Sequence, residues 1–143
     1  MIKNRGWCWF CSGQEAVLDP DKCGKWMFRF EDWQFEFAKE ICQAAIDTNV
    51  CYKAKCSDLE ATWWKETGVV CFYANGDDID NHRRIINFML ENNLIRKTAG
   101  GRFYNESFKF DEQTRNGEYG VNFVGKIKLE QFINLDTGEW IYK

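Results

Sequence analysis

The chain has 143 residues, enough for one domain of ordinary size. Hydrophobic residues make up 45% of it and aromatic residues 17%, which excludes an intrinsically disordered chain. Lys and Arg number 19 against 22 Asp and Glu, a net charge of -3 that argues against a partner such as long nucleic acid, and no apolar run approaches the ~20 residues of a membrane helix.

Met1 to Arg5 lead directly into Gly6-Trp7-Cys8-Trp9-Phe10, a run too short and too aromatic for a signal peptide, so the expected location is cytoplasmic. Gly6–Phe10 reads as a strand with Trp7 and Trp9 on one face. In the strand Lys25–Phe30, Trp26, Phe28 and Phe30 share one face while Lys25, Met27 and Arg29 share the other. Asp32–Asn49 carries Phe37, Ala38, Ile41, Cys42, Ala45 and Ile46 at helical spacing, with Asp32 as the expected N-cap. Val50–Cys56 alternates again, Tyr52 and Ala54 against Lys53 and Lys55. Ser57 to Trp64 is a loop or a short helical piece and holds Trp63 and Trp64. A strand over Thr67–Tyr73 precedes Asn75-Gly76-Asp77-Asp78, which reads as a turn and helix cap, and a second helix over Asp78–Asn93, with Ile85, Ile86, Met89 and Leu90 on its apolar side. Three more strands are expected. In Arg102–Phe110, Lys109 and Ser107 oppose Tyr104, Glu106, Phe108 and Phe110. In Asn122–Leu129, Lys126 and Lys128 oppose Ile127 and Leu129. In Glu139–Tyr142, which follows the turn Asp136-Thr137-Gly138, Trp140 and Tyr142 share a face. This order predicts a single α+β domain over residues 1–143: a curved, mostly antiparallel sheet of about seven strands with two main helices packed on its convex face.

The seven cysteines are an odd number. With no secretion signal they read as reduced thiols buried as small apolar groups. Cys8-Trp9-Phe10-Cys11 alone does not supply the four ligands of a zinc site. No metal and no cofactor is expected. The one histidine, His82, opens the second helix, where a surface or capping role is the plain expectation. Glycine-rich phosphate loops, nucleophile elbows and dinucleotide fingerprints are absent from the sequence.

The charge pattern carries the functional expectation. If the apolar strand faces meet the helices, the open sheet face collects Lys25, Arg29, Lys53, Lys55, Lys109, Lys126 and Lys128, and within those strands this face collects no acid, Glu106 falling on the other. Like charges gathered on one sheet face repel unless solvated or neutralised. A polar face that merely meets water normally mixes both signs, and lysines on strands also discourage edge-to-edge association. An anionic ligand fits the one-sided pattern better, since Lys as a point charge and Arg as a fork both suit phosphate. Trp7, Trp9, Trp63 and Trp64 add stacking partners for a base, each stack contributing about 1–3 kcal/mol.

Several short pieces in order carry a family resemblance over about residues 22 to 120. They are Gly24-Lys25-Trp26-Met27-Phe28, Lys53-Ala54-Lys55-Cys56-Ser57, and Val70-Cys71-Phe72-Tyr73 followed by Asp77-Asp78 and the Arg84-bearing helix. Phe108-Lys109-Phe110-Asp111-Glu112-Gln113-Thr114-Arg115 follows, with Gly117 and Tyr119. Together these resemble the basophilic-leukaemia-expressed protein family, whose small bacterial and viral members are labelled phosphothreonine lyase domain proteins. The resemblance implies a fold similar to the cap-binding translation initiation factor, with a nucleotide held between aromatic rings on the side away from the helices. It implies pocket positions at Lys25, Lys55, Arg84, Lys109, Thr114 and Tyr119. The lyase label implies a lysine base, a histidine acid and phosphate-binding arginines, roles for which Lys55, Lys109, His82, Arg84 and Arg115 are the candidates.

The leading expectation is a non-catalytic binding protein for a nucleotide or another phosphorylated small molecule. One concrete version is a phage-encoded sponge that sequesters a nucleotide immune signal, such as a cyclic dinucleotide or an ADP-ribose derivative. The alternatives are a phosphothreonine-lyase-like enzyme and a protein-interaction adaptor whose basic face meets an acidic partner.

Overall fold

The structure, a computed structural model, describes residues 1–61, 67–118 and 123–141. Seven strands form one antiparallel sheet: β1 (Ile2–Asn4), β2 (Trp7–Cys11), β3 (Cys23–Glu31), β4 (Lys53–Ser57), β5 (Thr67–Asn75), β6 (Ser107–Phe110) and β7 (Ile127–Lys128). Their spatial order is β1-β2-β4-β5-β3-β6-β7, an open sheet that does not close into a barrel. β1 and β2 make a hairpin on the two-residue turn Arg5-Gly6, where φ is 51° and 84°. Two successive positive φ angles match the right-handed twist of the flanking strands.

β3 organises the layers. It pairs with β5 over nine residues, from Cys23↔Asn75 to Glu31↔Thr67, and with β6 through Gly24↔Phe110 and Lys25↔Lys109. Its even-numbered aromatic residues, Trp26, Phe28 and Phe30, enter a core with Phe72 of β5 and Phe108 of β6. Two helices, α1 (Phe35–Asp47) and α2 (Ile79–Glu91), close that core with Ala38, Ile41, Cys42 and Ala45 from the first and Ile85, Ile86 and Met89 from the second. Burying each large apolar side chain contributes roughly 1.5–3 kcal/mol. Leu129, Phe132, Ile133 and Leu135 extend the core beyond β6.

The elements depart from the sequence expectation where side chains or other segments take over the backbone's hydrogen bonds. The first helix is preceded by a 3₁₀ turn over Asp32–Gln34, and the Glu31 N–H donates to Gln34 Oε1 at 2.9 Å, so Asp32 lies inside the turn rather than at the cap. Asp78 caps α2 as expected, accepting the Asn81 N–H at 3.1 Å. β6 begins at Ser107 because residues 102–104 bond elsewhere: the Tyr104 N–H reaches the Arg96 carbonyl and the Phe103 N–H the Leu135 carbonyl. β7 shrinks to two residues, with the Val124 and Lys126 carbonyls accepting from Gln113 and Gln131 side chains. The expected last strand is reduced to one bridge, Ile133↔Trp140. β1 and a five-residue helix α3 (Asp111–Arg115) were not expected. Asn122 and Tyr142, at ends of two expected strands, lie outside the described residues.

His82 corrects a second expectation. It is fully buried in the helix-side core. Its Nδ1 accepts the Trp26 indole N–H at 3.0 Å, and its Nε2 stands 2.9 Å from the Gly76 carbonyl oxygen, to which it donates. One acceptor and one donor nitrogen define the neutral tautomer. Burial lowers its pKa from the usual 6.5. The unfolded chain therefore binds a proton that the folded chain refuses, and stability falls as pH drops below about 6.5, until the folded-state pKa is passed. Urea unfolding at pH 7.5 and at pH 5 measures this. His82→Gln is expected to lose about 1–3 kcal/mol at pH 7.5 by disturbing a buried pair of hydrogen bonds, and to show a flatter pH dependence than the parent. Equal slopes in the two proteins would contradict the assignment.

Candidate functional site

The sheet face away from the helices carries the cations. Paired residues in register point to the same side, so the printed partners define rows across the face. Lys25 of β3 is flanked by Tyr73 of β5 and Lys109 of β6. Cys71 of β5 stands between Lys55 of β4 and Met27 of β3, and Lys55 faces Trp9 of β2 on its other side. Trp7, Lys53 and Arg29 complete the face from β2, β4 and β3. Cys23, Cys71, Tyr73, Trp9, Leu18, Met27 and Val69 form a second, smaller apolar cluster there, separate from the helix-side core.

A cavity of about 670 Å³ opens on this face. Lys25, Arg29, Lys55, Lys109, Thr114 and Trp7 line it, and Met27, Val69 and Cys71 lie beneath. Its size falls in the range of about 300–1,000 Å³ typical of small-ligand sites. Lys25 and Lys109 are 8% and 7% exposed, a depth at which lysines are found only when something compensates the charge. They sit directly opposite each other, an arrangement that is destabilising by itself. Gly24 makes it possible: a Cβ there would stand 2.5 Å from the Phe108 ring and 2.6 Å from the Lys109 carbonyl oxygen.

The compensation is partial. Lys25 Nζ pairs with Asp111 Oδ1 at 3.0 Å and lies 3.3 Å from Thr114 Oγ1, both on α3. Arg96 forms a two-pronged pair with Glu106 on the cavity wall, each contact 3.2 Å. Arg29, Lys53 and Lys55 make no ion pair among the described residues. Aromatic faces hold the two lysines instead. Lys55 Nζ is 3.7 Å from the Trp7 ring centre and 4.9 Å from that of Trp9. Lys53 Nζ is 4.4 Å from the Tyr73 ring centre and 5.4 Å from that of Trp9. Trp9 and Tyr73 stack at 6.4 Å. Such contacts contribute about 0.5–2 kcal/mol each according to their exposure.

Burial pushes the Lys55 and Lys109 ammonium groups below their usual pKa, and the neighbouring Lys25 pushes both the same way. Burial raises the neutral groups of the face: Cys71 to about 11, Cys23 to about 12, and Tyr73 upward as well. Near neutral pH the thiols and the phenol hold their protons, and the charge of the cavity is set by its cations together with Asp111, Glu106 and Glu118, the last acting on Lys109.

Lys25, Arg29, Lys55, Lys109, Thr114 and Trp7 thus meet at one cavity, with Lys53 and Trp9 beside it on the same face. Lys128 pairs with Ser107 and so belongs to this face at its β7 edge, whereas Lys126 lies outside the strand. Glu106, expected on the opposite face, lines the cavity because it precedes β6 rather than alternating within it. Arg84 stands on α2, in the helix layer, with its Nε buried and without a partner. Arg115 is exposed at the end of α3 and reaches the Pro20 carbonyl at 3.4 Å. His82 lies across the sheet from the cavity. Neither arginine nor the histidine joins the cluster. Trp63, Trp64 and Tyr119 lie outside the described residues. Tyr73 and Cys71 escaped notice although their alternation along β5 places them here. Arg96 follows α2 outside any repeating pattern and left no signal.

Among the described residues no cluster of His, Cys, Asp and Glu could hold a metal ion, and no helix is long and apolar enough to cross a membrane. The free cysteines are buried apart from Cys11, which is exposed. Neither a family model nor a curated protein matches the chain.

A half-buried lysine whose pKa is lowered by burial costs stability in the ligand-free protein. Lys55→Met keeps most of the length of the side chain and removes the charge. It is expected to raise the ligand-free melting temperature by about 2–4 °C, the equivalent of about 1 kcal/mol in a chain of this size. Calorimetry at pH 7 checks this; a lower melting temperature would mean that the Trp7 contact outweighs desolvation.

Proposed function

We propose that this face binds a nucleotide or a closely related phosphorylated small molecule without transforming it. The observation that carries the reading is the buried Lys25–Lys109 pair beside Lys55 and Trp7 in one cavity. Two lysines set side by side below the surface are an unfavourable arrangement in the free protein, and a phosphate relieves it. The indole of Trp7, now covered by an ammonium group, offers its face to a base. Lys55, 3.7 Å from the Trp7 ring centre, is placed to serve both parts of such a ligand.

The family resemblance implies pocket positions at Lys25, Lys55, Arg84, Lys109, Thr114 and Tyr119, and four of these, Lys25, Lys55, Lys109 and Thr114, line the cavity. A lyase-type reaction would have Lys55 or Lys109 as its base, but the histidine acid it calls for is the core residue His82, bonded through both ring nitrogens. Sequestration is the activity that a binding site of this kind supplies. In the counter-defence version of the reading the captured species is a signalling nucleotide.

Isothermal titration with adenosine and guanosine nucleotides, cyclic dinucleotides and ADP-ribose tests the proposal. Binding by at least one member is expected, weakening with added salt because the contacts are partly exposed charges. Recovered ligand has an unchanged mass. No heat from any member up to high micromolar concentration would contradict the reading, and a converted ligand would contradict its non-catalytic part.

The lowered pKa of Lys55 and Lys109 adds a linkage. A bound phosphate favours the ammonium form and raises both pKa values toward normal. Where the free protein has begun to lose these protons and the complex has not, binding takes up protons. Affinity is therefore expected to fall as pH rises toward the ordinary lysine pKa of 10.5. Titrations in buffers of different ionisation enthalpy at pH 9 measure the uptake; proton release would contradict the assignment.

A further inference from the structure

We infer that the ligand of this cavity ends in a phosphomonoester, a terminal phosphate whose free oxygens are received by Lys25, Lys109 and Thr114 together. A phosphate esterified on both sides, as in a cyclic nucleotide, matches the same groups poorly. This rests on the reading of the face as a nucleotide site and narrows it to ligands with an open phosphate end.

The three groups line the cavity together. Lys25 and Lys109 stand opposite each other on β3 and β6, both buried. The helix α3 follows β6 directly and brings Thr114 Oγ1 to 3.3 Å from Lys25 Nζ. An ammonium has three N–H groups. On Lys25 one goes to Asp111 Oδ1 and one to Thr114 Oγ1, which leaves the third for a further acceptor. Thr114 Oγ1 accepts from Lys25, so its own hydrogen remains to be donated, and no described residue takes it. Asp111 does not line the cavity; its contact fixes the Lys25 side chain from α3.

The chemistry of the phosphate decides what fits. A phosphomonoester presents three strong acceptor oxygens and carries a charge of about −1.5 to −2 at pH 7. It answers the Lys25 N–H, the Thr114 hydroxyl and the Lys109 ammonium with one oxygen each. A phosphodiester carries a single charge and has one free oxygen fewer. It leaves one of the donors unmatched below the surface, which costs affinity. Burial and Lys25 both push the Lys109 ammonium below its usual pKa, with Glu118 acting the other way. A dianion beside the two lysines offsets this more fully than a monoanion. Lys55 and Trp7, on β4 and β2, remain for the rest of the molecule.

Two matched pairs test the inference: AMP against 3′,5′-cyclic AMP, and GMP against 3′,5′-cyclic GMP, by isothermal titration at pH 7.5 and fixed salt. Each pair shares its base and sugar and holds one phosphorus atom. In the pair that binds tighter, the open monophosphate is expected to bind about fivefold or more tighter than the cyclic form. Thr114→Val removes the hydroxyl and is expected to weaken the monophosphate at least threefold, with the cyclic nucleotide changed less. Thr114→Ser, which keeps the hydroxyl, retains most of the affinity and shows that the valine variant acts through the lost donor rather than through misfolding. A preference below fivefold, or a monophosphate affinity untouched in Thr114→Val, overturns the phosphomonoester assignment and leaves the nucleotide-site reading standing. Silence from both AMP and GMP overturns it as well, and the reading of the face then stands or falls with the cyclic dinucleotides and ADP-ribose.

Discussion

The pleat of β3 is the constraint on which the rest of the molecule depends. Every second residue of this strand is a large aromatic that the helices must cover, and the residues between are Lys25, Met27 and Arg29. Period two leaves no freedom: once Trp26, Phe28 and Phe30 are in the core, Lys25 and Arg29 must emerge on the opposite side. Register then propagates the choice to the neighbours. Pairing with β5 brings Tyr73 and Cys71 up beside them, and pairing with β6 brings Lys109. A slip of one residue would bury two cations among the aromatics, so the hydrophobic energy of the core fixes the charge pattern of the other face.

That face is organised so that ammonium groups find aromatic surfaces where they lack carboxylates. Lys53 and Lys55 rest on Trp7, Trp9 and Tyr73, while Lys25 and Arg96 have acid partners. Cation–π contacts offset part of the desolvation of a buried lysine and leave its charge formally unneutralised. The ligand-free protein therefore holds its cations in place at some cost to stability. The proposed ligand would exchange those contacts for phosphate on the lysines and a base on the indole.

How far the sequence made this legible varied with the element. Strands with strict alternation, β3 and β4, could be read with their faces, and Lys25, Arg29, Lys53 and Lys55 followed. Both main helices were legible from spacing, as was the Asp78 cap. Legibility ended where backbone groups found partners outside the sheet. Nothing in the run of residues 102–106 announces that Arg96 and Leu135 take its hydrogen bonds, and Glu106 therefore surfaced in the cavity against expectation. His82 was misjudged for a related reason. Its burial depends on a single acceptor site opposite the Trp26 indole, a contact between residues 56 positions apart that no local pattern encodes. The Lys25–Asp111 pair, 86 positions apart, was equally out of reach.

The central claim is that pleating and register gather Lys25, Lys55 and Lys109 into one anion-accepting group. Magnetic resonance of lysine side chains, labelled at the ε-carbon and titrated with a nucleotide that binds, observes these groups directly. The account predicts that the Lys25, Lys55 and Lys109 resonances move together along one saturation curve while that of the exposed Lys126 stays fixed. Shifts spread evenly over the surface lysines, with those three unmoved, would contradict it.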